Sequence, residues 1–251
     1  MDINYFKFGE GTKIIAIIPG VSLGNIISLR NSIEAEYDIF KKDYTLYVFD
    51  RYHSLKRGYT IDDMAYDMIN AFDELCLKDI NVISTSQGGQ IAQVVAIKRP
   101  DLIKKLVLFS TTPIITDEKY DLFMHWAGEA KPGNEKKLIE TFSKDVYSKD
   151  FYEKYKLALL MMADKTSNED LDKFIIACKA MRNFDVVSDL KKIRCETLII
   201  AGSNDVIFEP FYANLIGSEV GVKPLIFEGE SHALYDENPK YLKMVFDFFN
   251  K

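Results

Sequence analysis

The sequence predicts an α/β fold: a doubly wound, mostly parallel sheet with a block of helices inserted after one of its core strands. Three observations predict it. Short β-rich apolar runs alternate with helix-like segments over residues 1–113. Residues 114–185 then carry helical patterns without a convincing strand, and the alternation resumes from 186 onward. The chain therefore divides into a core, 1–113 with 186–251, and a helical cap, 114–185. Its 251 residues suit one large α/β unit with an insertion.

The elements follow in order. Tyr5-Phe6-Lys7-Phe8 and Gly9-Glu10-Gly11 look like a hairpin arm leading into Lys13 to Ile18, a run apolar on both sides as a strand covered on both faces requires. Tyr44 to Asp50 is the next strand. Thr60 opens a helix with Asp63 three residues on, a variant capping box, and Met64, Met68, Ile69, Phe72 and Leu75 repeat at helical spacing. Asn81 to Ser86 is a strand that runs straight into a helix rich in small residues, and Lys105 to Ser110 is the strand after it. In the cap, Leu157 to Met162 and Leu171 to Met181 read as helices. Glu196 to Ala201 and Pro224 to Phe227 resume the strands, and Pro239 opens a last amphipathic helix to Asn250, where its missing N–H costs nothing.

Composition excludes several classes. Hydrophobic residues at 47% and charged residues at 28% describe a globular protein, not a disordered or fibrous one. The longest apolar stretch, Leu157 to Ala163, is far short of the ~20 residues of a membrane span. Met1-Asp2-Ile3-Asn4 lacks a basic segment leading into an apolar one, so no secretory signal is expected. Cys76, Cys178 and Cys195, odd in number and widely spaced, read as reduced core thiols of a cytoplasmic protein. A net charge of −6 with interspersed signs offers nucleic acid no basic face, and the cap, with 12 basic and 14 acidic residues, is nearly neutral. Three scattered histidines and no clustered cysteines make a metal site unexpected. Gly20-Val21-Ser22-Leu23-Gly24 lacks dinucleotide-loop spacing, so no cofactor is expected either.

Three short stretches carry chemistry. Ser84-Thr85-Ser86-Gln87-Gly88-Gly89 sits where a strand turns directly into a helix. A serine there stands above the sheet over a helix N-terminus, and its neighbours two away must be small because two backbones pass close together. The same stretch also reads as a serine N-cap with glycines for packing. Ala201-Gly202-Ser203-Asn204-Asp205 puts an aspartate just past a strand, where an ordinary turn would equally place one. Gly229-Glu230-Ser231-His232-Ala233 follows the last strand. Of the other histidines, His53 lies in a polar loop (Arg51-Tyr52-His53-Ser54) and His125 beside Trp126 in the cap. Serine, aspartate and histidine each follow a different strand of one sheet, and the carboxyl ends of parallel strands open on a common crevice.

On these motifs the chain resembles the α/β-hydrolase superfamily with a helical cap. The likeness covers essentially the whole chain, on SxSxGG at 84–89, GSND at 202–205 and SH at 231–232. Arg51 through Gly58-Tyr59-Thr60, Arg99-Pro100-Asp101 and Lys104 to Leu108 also resemble the family's connecting segments. The resemblance implies Ser86 as nucleophile, His232 as general base and Asp205 as the acid orienting it. Some relatives carry the acid after the preceding core strand; here that place holds Ser110-Thr111-Thr112, which favours Asp205. It implies an oxyanion hole from the backbone N–H groups of Val21 and Gln87. Two positions depart from the pattern: Pro19-Gly20 stands where relatives have His-Gly, removing any hydrogen bond from that histidine, and Ser84 stands where they commonly have Gly.

The implied activity is hydrolysis through an acyl-enzyme, on a small-molecule substrate, with no nucleic-acid or membrane partner and the oligomeric state left open. Apolar cap side chains (Phe123, Met124, Trp126, Leu160 and Met161) are the expected substrate contacts and suggest a small or medium neutral carboxylic ester, although each also reads as the cap's own core. The same triad supports carbon–carbon, lactone or amide hydrolysis and perhydrolysis. Serine rather than aspartate at 86 disfavours epoxide and carbon–halogen cleavage. A ligand-binding protein on the hydrolase fold is the reading outside enzymes.

Overall fold

The computed structural model describes residues 3–51 and 53–251; Met1, Asp2 and Tyr52 lie outside the described residues. Seven strands make one sheet: β1 (Asn4–Phe8), β2 (Lys13–Ile18), β3 (Tyr44–Asp50), β4 (Ile80–Thr85), β5 (Ile103–Phe109), β6 (Glu196–Gly202) and β7 (Leu225–Phe227). Their order is β1-β3-β2-β4-β5-β6-β7. All neighbours are parallel except β1, which runs antiparallel on the outside of β3, with Asn4 opposite Asp50 and Phe8 opposite Leu46. The expected hairpin between β1 and β2 is therefore corrected. Both edges of β2 are taken by the parallel strands β3 and β4, so the first strand crosses to the one free edge of β3.

Alternation along the strands feeds two apolar layers. Ile15 and Ile17 of β2 enter one, while Ala16 and Ile18 enter the other. The larger layer packs under α2 (Ile61–Glu74), α3 (Gln87–Lys98), α8 (Pro210–Val220) and the cap; the smaller lies under α9 (Leu234–Glu237) and α10 (Lys240–Phe249), with Ile33 of α1 (Arg30–Glu36) at its margin. Thr60 and Asp63 form the capping box that starts α2, each side chain answering the other's backbone N–H at 3.2 and 2.9 Å. Cys178 is buried and Cys195 half-buried, but Cys76 is exposed. It follows the last turn of α2 at φ 54°, where the chain turns out toward solvent, which corrects its assignment to the core.

Four helices, α4 (Asp117–Glu129), α5 (Glu135–Val146), α6 (Lys149–Met161) and α7 (Asn168–Lys179), lie between β5 and β6. Thr116, Ser148 and Ser167 cap three of them by accepting a hydrogen bond from the backbone N–H three residues on. Edge-to-face contacts of Trp126 with Phe123 and Phe142, and of Phe142 with Phe174, fill the interior at centroid distances of 5.3, 4.9 and 5.7 Å. The segment leaves and rejoins the sheet at one neck: Ile114 bridges Asp185, Ile115 N–H donates to Phe184 O at 2.8 Å, and Val186 N–H donates to Pro113 O at 2.9 Å. Among the described residues no helix is long and apolar enough to cross a membrane.

The carboxyl ends of β4, β6 and β7 release Ser86, Asp205 and His232 on the same edge of the sheet. The loops after β6 and β7 touch directly, since Asn204 N–H donates to Glu230 O at 2.9 Å and Ser203 N–H donates to Phe227 O at 2.8 Å. Gly202 permits this approach: a Cβ there would fall 2.1 Å from Glu230 O. Gly202→Ala is expected to push the two loops apart and to destabilise the fold by about 3 kcal/mol, at the top of the overpacking range because backbone must move. Urea unfolding read by circular dichroism checks it.

Candidate active site

Ser86 stands at the turn between the last residue of β4 and the first of α3. Its backbone is at φ 50° and ψ −121°, a region that L-residues rarely occupy. The turn is over-determined by its neighbours. Ser86 N–H donates to Phe109 O at 3.0 Å, and Ser86 O accepts from Gly89 N–H at 2.9 Å and from Thr111 Oγ1 at 2.8 Å. A Cβ on Gly88 would lie 2.0 Å from Ile18 O, and one on Gly89 2.6 Å from the Thr111 side chain. Ser84 fills its position without strain: it is fully buried and its hydroxyl donates to Val107 O at 2.7 Å, so a small polar side chain replaces glycine there.

Asp205 and His232 form a buried pair. Asp205 Oδ2 lies 2.8 Å from His232 Nδ1, while Oδ1 accepts from the N–H groups of Ile207 and Phe208, each at 2.9 Å. A carboxylate only accepts, so Nδ1 carries the proton and Nε2 is left as the basic nitrogen. The Phe208 ring meets the imidazole edge-on at 5.6 Å and helps hold its plane. Ser86 and His232 both line a cavity of about 400 Å³ beneath the cap. The cap reaches the histidine loop as well, where Ala233 N–H donates to Val146 O at 3.0 Å.

Val21 lines the same cavity, and Gln87 opens α3, so its N–H has no partner within the helix. The loop from Pro19 is pinned on two sides. Gly20 N–H donates to Thr85 Oγ1 at 3.0 Å, and the buried Arg51 donates to Pro19 O at 2.7 Å and Gly20 O at 3.0 Å. Burial lowers the Arg51 pKa to about 10 against the opposing pull of Asp50, which leaves it charged at neutral pH.

Of the expected substrate contacts, Phe123 and Trp126 line the cavity, while Met124, Leu160 and Met161 are not part of its wall. Leu159 and Met162 take that place, and Met161 is 64% exposed. Positions 159 and 162 share one helical face, and the sequence does not mark which face, because Leu157 to Ala163 is apolar all round. His53 is exposed beside Asn25, and His125 is exposed near Glu129; neither lines the cavity.

The cavity has a second, polar end absent from the sequence reading, formed by Glu36, Tyr37, Tyr147, Tyr235 and Asp236. Tyr147 Oη lies 3.4 Å from Asp236 Oδ2. Both residues line the cavity and remain partly open to solvent. Burial, and secondarily the charge of Asp236, raises Glu36 to about 8. Burial and then the neighbouring Glu237 raise Asp236 to about 7, against the lowering pull of Tyr147 and His232. Glu36 at the end of α1 and Asp236 shortly after His232 lie 200 residues apart, and no local pattern links them.

Known proteins match this architecture. A family model describing the alpha/beta hydrolase fold matches residues 41–138. The chain is 22% identical to mouse serine hydrolase BPHL over 98% of this chain and 82% of that protein. It is 23% identical to 3-oxoadipate enol-lactonase 2 of Acinetobacter baylyi, over 82% and 76%. The crystal structure of MGS-M2, an alpha/beta hydrolase enzyme from a deep-sea metagenome library of the Medee basin, superposes with a TM-score of 0.87 at 24% identity, covering 99% of this chain and 94% of that one. The fold is thus that of the α/β hydrolases.

Glu36 supplies a test of the polar end. Its raised pKa means that below pH 4.5 it is neutral folded or unfolded, while from 4.5 to about 8 the unfolded chain ionises more readily. Its contribution to stability therefore declines as pH rises through that window. Glu36→Gln is expected to flatten the fall in melting temperature between pH 5 and pH 9, relative to the wild type, in a calorimetric series.

Proposed function

We propose that this protein is a serine hydrolase that cleaves small or medium neutral carboxylic esters through an acyl-enzyme. The observation that carries the reading is the buried Asp205–His232 pair opening on the same cavity as Ser86 at its strained turn. Ser86 Oγ attacks the ester carbonyl carbon while His232 Nε2 takes its proton. Asp205 holds the ring and stabilises the imidazolium. The tetrahedral oxyanion is met by the N–H groups of Val21 and Gln87, the latter aided by the positive end of α3. Protonated His232 then passes its proton to the departing alkoxide, and water, activated by the same nitrogen, releases the acid and restores Ser86.

The cavity's two ends support a substrate of mixed character. Phe123, Trp126, Phe142, Leu159 and Met162 offer an apolar wall, while Glu36 and Asp236 are substantially protonated near neutral pH and give and receive hydrogen bonds without a full pair of charges. A lactone, an ester closed on itself, is the second reading, favoured by the relative named as an enol-lactonase.

Two experiments test the proposal. A fluorophosphonate probe is expected to label the wild type and not Ser86→Ala, and a folded wild type that neither labels nor turns over any p-nitrophenyl ester or lactone overturns it. Asp205→Asn is expected to lower kcat by about 10³–10⁴-fold, because the asparagine amide stabilises the wrong imidazole tautomer.

A further inference from the structure

The loop that would hold one side of the oxyanion hole contains Pro19, which has neither a backbone N–H nor a polar side chain to brace it. The structure supplies a brace from another strand. Arg51, the residue after β3, is buried and spreads its guanidinium over three acceptors: Pro19 O at 2.7 Å, Gly20 O at 3.0 Å and Gln87 Oε1 at 3.3 Å. The Gln87 amide nitrogen in turn donates to Ala177 O of α7 in the cap, at 2.7 Å.

The consequence follows from peptide geometry. In a trans peptide the C=O and the following N–H point to opposite sides of the chain, and the Gly20 carbonyl belongs to the same peptide unit as the Val21 N–H. A guanidinium holding Gly20 O therefore sends Val21 N–H away from itself. Gly20 packs against the nucleophile, where a Cβ would lie 3.1 Å from Ser86 Cβ and 3.7 Å from Oγ. Its own N–H is engaged by Thr85, which removes rotation of the preceding peptide as an alternative. A cation on the carbonyl also polarises the peptide and strengthens its N–H as a donor.

We propose that Arg51 is the positioning residue of the oxyanion hole: it orients Val21 N–H toward Ser86 through the Gly20 peptide, and through the Gln87 side chain it couples that geometry to the seating of cap helix α7. The inference rests on the serine-hydrolase reading. Arg51 touches no substrate, and its effect is exerted on the tetrahedral state rather than on ground-state binding.

The test compares wild type, Arg51→Gln and Arg51→Lys on one ester that the wild type turns over, with a boronic acid as tetrahedral mimic and the planar product acid as ground-state mimic. Arg51→Gln is expected to lower kcat by about 10²-fold with KM changed less than about threefold. Boronate affinity should fall with kcat while product-acid affinity holds, and the lysine variant, which keeps the charge but reaches fewer acceptors, should fall between. Addition of guanidinium to Arg51→Ala should restore part of the rate. In parallel, the Val21 amide resonance in a ¹⁵N-resolved spectrum should move in Arg51→Gln. That signal needs no substrate, so it stands even where the wild type fails to label with fluorophosphonate and the hydrolase reading falls. Unchanged kcat and boronate affinity in a folded Arg51→Gln, or an unmoved Val21 amide, overturns the inference; should Arg51→Gln fail to fold, the lysine variant carries the same comparison.

Discussion

The strand-to-helix reversal at Ser86 is the constraint around which the rest of this molecule is arranged. A residue with a side chain is held at φ 50°, and such a backbone persists only where its surroundings leave no alternative. Here the surroundings are β2 and the loop after β5, so close that Gly88 and Gly89 have no room for a Cβ against Ile18 and Thr111. The turn thus requires a parallel sheet already built on both sides of β4. In return it places the serine hydroxyl above the sheet edge, with the first amides of α3 beside it. The two-sided burial of β4, the small residues of α3 and the order of the central strands all serve that turn.

Much of this is legible in the sequence because it follows from local rules. Alternating apolar runs reveal the strands, the Thr60–Asp63 pair announces α2, and a serine between a β-rich run and two glycines marks the elbow. Asp205 and His232 are legible only in combination, since each alone is an ordinary turn residue and the shared sheet edge relates them. What is not legible depends on three-dimensional neighbours. Arg51 reads as the start of a polar loop, and only the fold shows its guanidinium under the Pro19–Gly20 carbonyls. A charged residue directly after the buried end of a strand was the available signal. The inward face of α6 is hidden because its apolar run has no polar side to orient it, and β1 looks like a hairpin partner of β2 because sequence adjacency cannot reveal that both edges of β2 are occupied.

The cavity joins these two kinds of information. Its floor is the sheet edge, whose residues are fixed by backbone geometry, and its roof is helical surface whose side chains pack on one another through Trp126, Phe142 and Phe174. Between them lies a pair of carboxyls, Glu36 of α1 and Asp236 of α9, at the polar end of the cavity. On the proposed reading such a site separates its tasks: the bond-making groups sit on the rigid part, and the groups that sense the shape and polarity of a ligand sit where helices meet.

The neck at Ile114 and Asp185 has a consequence for how such a chain diversifies. Because the two strands flanking the insertion are brought together by their own hydrogen bonds, the sheet experiences the cap as a short link, whatever its actual length. The entropy of closing a loop grows only slowly with added residues, and a pinched base lessens even that dependence. Helices can therefore be lengthened, exchanged or relined above the neck while β5 and β6 keep their register below it. Remodelling the roof is thereby separated from folding the sheet: the one can change without the other having to be solved anew.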